Sequence, residues 1–202
     1  MSEETLSPLQ AASALREAAS WSEQLRRRTV GLTWLVWALV VPAIFVTYAW
    51  AALAAGPAWS LGLLWLPWSA GGLLVTALLW RSARVAREAP ALSMREVVVH
   101  AALFLLATAG VALVVAPLRL PLPAPAAVLL GIGLLTAMLG AREAFGEERG
   151  AGIVQALAGL ALLLFAVSQA LAAVGPGDAA LADALAAGIV LGAVGAVRFV
   201  RS

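Results

Sequence analysis

An all-α polytopic membrane protein, with six transmembrane helices arranged as three hairpins, is the fold this sequence predicts. Three observations carry that reading. Of the 202 residues, 63% are hydrophobic and only 12% are charged, about half the charged share of a soluble domain. The apolar residues gather into six runs, most of them close to the roughly 20 residues that a helix needs to cross a bilayer. All 13 basic residues are Arg, and only one of them, Arg119, falls on the outer side of a six-span path.

The elements follow in chain order. Residues 1–29 carry four Glu and four Arg and predict a cytoplasmic N-terminal helix. Ser7 is placed to cap it, Pro8 suits its first turn and Gln10 completes a capping box. Leu15, Ala18, Trp21 and Leu25 give this helix a modest apolar stripe, so it is expected to lie near the bilayer or to run into the first span. The first apolar run is too long for the core of a signal peptide, about 7–15 residues, and is read as a retained span.

Residues 30–202 then form the transmembrane domain, with spans at about 30–55, 59–80, 97–118, 125–141, 151–174 and 179–197. The fourth is the shortest, and Pro121, Pro123 and Pro125 crowd its start. Helices are expected throughout, because backbone groups in hydrocarbon must be satisfied within a segment or in a closed barrel. The period-two alternation of barrel strands is not seen in these runs.

Arg placement sets the direction. Arg16 and Arg26 to Arg28 precede the first span, Arg81 to Arg95 follow the second, Arg142 and Arg149 separate the fourth from the fifth, and Arg198 and Arg201 follow the sixth. The positive-inside rule places these groups, and both termini, in the cytoplasm, with the cell membrane as the expected location. Gly56-Pro57, Ala116-Pro117 and Gly175-Pro176 recur at the outer turns, about 60 residues apart, which suggests three stacked hairpins. Short connecting loops in any six-span chain would give a similar spacing.

The residues from Val97 to Arg201, with Gly131-Ile132-Gly133, the glycines from Gly188 to Gly195, prolines at outer turns and arginines at inner ends, resemble HdeD-type small six-span membrane proteins. The resemblance covers about half the chain and implies an architecture without known catalytic residues. The first hairpin, with its Trp residues and mid-span prolines, departs from that pattern.

Two features suggest function. Ala180, Ala184, Gly188, Gly192 and Ala196 recur every four residues along the sixth span, a small-residue face for close helix packing. That packing is either within the chain or with a homo-oligomeric or other membrane partner. Pro42 lies midway along the first span and Pro67 within the second, at similar depths from the turn between them. Two proline kinks there could open a groove lined by Trp65 and Trp68 for an apolar or cationic ligand. Ordinary packing explains the same residues. All eight Trp lie at or before position 80, and Trp34, Trp50, Trp59 and Trp80 sit near span ends as interfacial anchors.

Ionisable residues within the spans are few. His100 is expected near the cytoplasmic end of the third span. Asp183, in the first turn of the sixth, is read as a solvated or dipole-compensating group. Gln155, Gln169, Ser168, Thr76, Thr108 and Thr136 are scattered, and no series links them. The loop 81–96, with four Arg, sets topology or meets a soluble partner or anionic lipid.

Chemistry is constrained by what the chain lacks. It has no Cys, no Lys and one His, so neither thiolate nor His-cluster metal sites, nor a phosphate loop ending in Lys, is expected. Gly146-Glu147-Glu148-Arg149 superficially resembles the paired Glu of intramembrane metalloproteases, but no His follows it. No cofactor, metal or nucleic acid is expected. A non-catalytic membrane component, such as a small subunit or an assembly or stress-related protein acting through helix packing, is the leading expectation. A small transporter or substrate-binding subunit for an apolar solute, using the kinked first hairpin, is the alternative.

Overall fold

The computed structural model describes residues 8–55, 60–85, 124–146, 149–172 and 174–201. They form five helices: α1 (Pro8–Ala55), α2 (Ser60–Val85), α3 (Ala124–Ala144), α4 (Arg149–Leu171) and α5 (Pro176–Val200). Four of them, α1, α3, α4 and α5, are long and apolar enough to cross a membrane. The expected third span at 97–118, His100, the 81–96 loop beyond Val85 and two of the three outer turns lie outside the described residues.

The N-terminal helix and the first span are one element. α1 runs for 48 residues, about 72 Å at 1.5 Å per residue, which exceeds the roughly 30 Å hydrocarbon core by more than twofold. Its first twenty residues are largely exposed, Leu15 and Trp21 among them. Glu23 ties the arm together, accepting from Arg26 Nε at 2.9 Å and Nη2 at 2.6 Å, and from Arg27 Nε at 3.0 Å. The hydrogen bonds from Arg26, with those from Arg27 and both positive charges, hold its carboxyl down at about 2, against an ordinary 4.5. A carboxyl depressed by folding contributes stability above its ordinary range and loses it as pH falls through the folded value. Acidifying from about pH 5 to 2 should therefore fray the arm, seen as a small loss of helical circular dichroism that Glu23→Gln removes. The effect is small, because the pair is substantially exposed and screened.

The other helices end close to where composition places them. α3 reaches 21 residues by continuing through Arg142 to Ala144, so the short fourth run becomes a full-length span. α5 likewise takes in Arg198. In α5 the added turn brings the Arg198 side chain to polar partners at the bundle end, as described below, whereas Arg142 in the last turn of α3 is exposed.

Close contacts set the directions. Gly31 lies against Phe199, Leu35 against Gly195, Ala38 against Gly192 and Pro42 against Gly188, so α1 and α5 run antiparallel. Val40 meets Gly72, and Trp80 Nε1 donates to Thr33 Oγ1 at 3.2 Å, so α2 also runs against α1. α3 and α4 form an antiparallel hairpin, and α4 returns into α5. With these directions Arg26 to Arg28, Arg81, Arg142, Arg149, Arg198 and Arg201 all gather at one end of the bundle.

The tightest interface is between α3 and α4. A methyl placed on Gly159 would fall 2.6 Å from the Gly133 carbonyl oxygen and would overlap the Ala137 backbone. One on Gly140 would meet the Gly152 carbonyl at 2.7 Å, and one on Gly152 would meet the backbone of Glu143 and Ala144. Gly133 and Gly140 on α3 therefore face Gly159 and Gly152 on α4, and Ala126 and Ala166, one step of seven further along each helix, are fully buried in the core. A seven-residue step is the repeat of helices packed nearly side by side with left-handed supercoiling.

Larger side chains fill the centre. Phe45 of α1, Leu129 of α3, Leu162 of α4 and Leu191 of α5 are buried together. The outward faces are as apolar as the core: Leu78 on α2, Leu164 on α4 and Leu185 and Ile189 on α5 are all exposed. Such surfaces suit contact with lipid, which takes the place of water around spanning helices.

Candidate functional site

The polar chemistry of the bundle lies at two levels of α5. Fifteen residues separate Asp183 from Arg198 on that helix, about 22 Å of rise. Small residues packed on α1 occupy the distance between them.

At the arginine end, the Arg198 side chain is 5% exposed and pairs with Glu143 of α3. It also donates to Gln155 Oε1 of α4. Gln155 is itself buried and donates through Nε2 to the Thr136 carbonyl of α3 at 3.4 Å. The Thr136 hydroxyl returns to the Ile132 carbonyl at 2.7 Å, within its own helix. One guanidinium thus holds three helices, and its planar fork suits two acceptors better than an ammonium would.

At the far end, Asp183 is 0% exposed and Gln169 of α4 is 4% exposed. Gln169 Nε2 donates to Asp183 Oδ1 at 2.5 Å. Asp183 is therefore not the solvated, dipole-compensating group that its sequence position suggests. Asp178, one turn earlier, occupies the exposed first-turn position instead. Gln155, Thr136 and Gln169 also prove to be linked in pairs across helices rather than scattered.

The small-residue face of the sixth span turns inward. Ala180 packs with Tyr48 and Ala49 of α1, and Ala184 joins the core with Ala38, Val41 and Phe45. A methyl on Gly188 would lie 3.1 Å from Pro42 Cγ and 3.7 Å from the Ala38 carbonyl oxygen. That carbonyl is the acceptor left without its helical donor by Pro42, and it faces a glycine that leaves room beside it. Ala196, the last member of the predicted stripe, is exposed, and Gly195 takes its place against Leu35.

The predicted groove residues that are described differ in their surroundings. α1 and α2 continue as helices through Pro42 and Pro67. Pro42 is half-buried against α5, whereas Pro67 and Trp68 are exposed. The side chain of Trp65 lies outside the described residues. Contact between α1 and α2 runs instead through Trp37, Val40 and Gly72, and through Trp80 with Thr33. Among the described residues no group of three or more His, Asp or Glu side chains is arranged to hold a metal ion.

Sequence reasoning missed the α3–α4 glycine series and both polar pairs. The signal for the pairs was distance from the turn. Gln169 and Asp183 each stand seven residues from Pro176, which puts them at equal depth on the two arms of a hairpin. Gln155 and Arg198 stand at nearly equal distances as well.

No family model, curated protein or solved structure matches this chain.

Proposed function

We propose that the chain is a non-catalytic integral component of the cell membrane, a small subunit or an assembly or stress-related protein that acts through helix packing with itself or a partner. The observation that carries this reading is where the buried polar side chains end. Arg198, Gln155, Gln169 and Asp183 each engage a neighbouring helix, so their chemistry serves to join helices. The broad exposed apolar surface of α2, α4 and α5 remains for lipid or for a second membrane protein.

Six spans with both termini in the cytoplasm are part of the proposal. α2 ends at the arginine-bearing end of the bundle and α3 begins at the opposite end, and a crossing by the run at 97–118 would join the two. The gathering of arginines at one end supports placing that end inside. The likeness of residues 97–201 to HdeD-type proteins belongs to the same reading and rests on the glycine-rich runs and inner arginines of that half.

The chain contains no Cys, so single cysteines can be introduced without background. Cysteines at Ser2 and Ser202 should label from the same side of sealed vesicles; labelling from opposite sides would overturn the six-span path. Cysteines at the exposed positions Leu185 and Ala196 should crosslink a defined oligomer or partner in native membranes. A monomer by crosslinking, and again by native mass spectrometry in mild detergent, would reject action through association. The face of α5 carrying Ala184 and Gly188 is covered by α1 and should give no such crosslink.

A further inference from the structure

We infer that Asp183 and Gln169 form a buried proton-binding site, in which one proton on Asp183 closes a neutral acid–amide pair between α4 and α5. The argument is a count of donors and acceptors. Gln169 Nε2 already donates to Asp183 Oδ1. Two buried oxygens of the same pair, Asp183 Oδ2 and Gln169 Oε1, have no hydrogen-bond partner. An ionised carboxylate only accepts, and an amide oxygen only accepts, so the ionised pair cannot satisfy both. A carboxylic acid carries one O–H donor. Placed on Oδ2 and given to Gln169 Oε1, that donor satisfies both oxygens at once and leaves no net charge among apolar neighbours. The proton comes from the aqueous phase, and no other bond is made or broken.

The surroundings favour a neutral pair. The far halves of α3 and α4, residues 124–134 and 160–171, hold no charged residue. From α1, the titratable group at this end is Tyr48, buried against Ala180. On α5 itself, Asp178 is exposed, and Arg198 is about 22 Å along the helix. An unpaired charge in such a place is strongly disfavoured. A small metal cation bridging the two oxygens is the rival occupant.

The test is infrared spectroscopy of the full chain in liposomes at neutral pH, in sodium-free choline buffer and then in sodium. Wild type should show one carboxylic-acid carbonyl band that is absent from Asp183→Asn. In Gln169→Leu the band should persist and move to higher wavenumber, because the acid has lost its amide partner. Asp183→Asn should also melt no lower than wild type, since two amides close the same ring without charge. Absence of an acid band assigned by Asp183→Asn would overturn the inference. So would a band present in choline and lost in sodium, which would assign the site to the metal cation. If Asp183→Asn fails to fold, the band shift in Gln169→Leu decides the question alone: a shift supports the pair, and an unmoved band removes it.

Discussion

Leucine at Gly159 should destabilise the bundle by about 3 kcal/mol or more, the upper range for overpacking a filled interface. The reason is what the new side chain would strike. Its first carbon would overlap the Ala137 backbone and lie 2.6 Å from the Gly133 carbonyl oxygen. A side chain in the way can rotate, but a helix backbone can only move as a body. α3 and α4 would have to separate along the whole series from Ala126 to Gly140, losing contact at Gly140 and Gly152 as well. Alanine at Gly71 or Gly177 is the control, because a methyl there meets nothing within 4 Å. Unfolding of the purified chain in mixed detergent–SDS micelles, followed by far-UV circular dichroism, measures the effect. Equal stability of Gly159→Leu and Gly71→Ala would contradict the close approach of α3 and α4.

Removing the guanidinium at Arg198 should be the other large loss, about 3 kcal/mol, as expected when one partner of a buried charged pair is deleted. The cost falls mainly on Gln155. Glu143 is 40% exposed and can recover water, whereas the 1% exposed Gln155 would keep a buried oxygen without its donor. Arg198→Ala combined with Gln155→Leu should therefore cost less than the two single losses added together. Arg198→Lys should fall between wild type and Arg198→Ala, because an ammonium cannot present the same fork to Glu143 and Gln155. The same detergent titration gives all four values, and strict additivity would show that the side chains do not share an interaction.

Helical membrane character was legible because it depends on composition, which no folding detail can reverse. The antiparallel path of α1 and α5 was half legible. Of the residues picked out by a four-residue repeat, Ala180, Ala184, Gly188 and Gly192 lie against α1, whereas Ala196 is exposed. A helix turns once every 3.6 residues, so a strict step of four drifts around its surface. The true contact line on α5 runs through Gly188, Gly192, Gly195 and Phe199, and its counterpart on α1 through Gly31, Leu35, Ala38 and Pro42. Steps of four and three alternate on both helices.

The polar pairs were hidden for another reason. Asp183 near a helix start fits a solvated dipole partner, and a local rule cannot know that the preceding helix carries Gln169 at the same depth. Likewise, a span boundary drawn where hydropathy falls excluded Arg198, although two acceptors on neighbouring helices let the bundle bury it. The placement of Pro42 was beyond sequence logic, since its partner Gly188 is nearly 150 positions away.

The pairing of α1 with α5 also sets an order of events during synthesis. The first span enters the bilayer long before residues near 199 leave the ribosome, so its Gly31–Pro42 surface must wait for almost the whole chain. Through that interval the Ala38 carbonyl, deprived of its helical donor by Pro42, lacks the glycine-lined surface it will finally face. Completion of the bundle thus waits on a contact between Gly31 and Phe199, and nascent chains stalled before α5 should expose an open seam along α1.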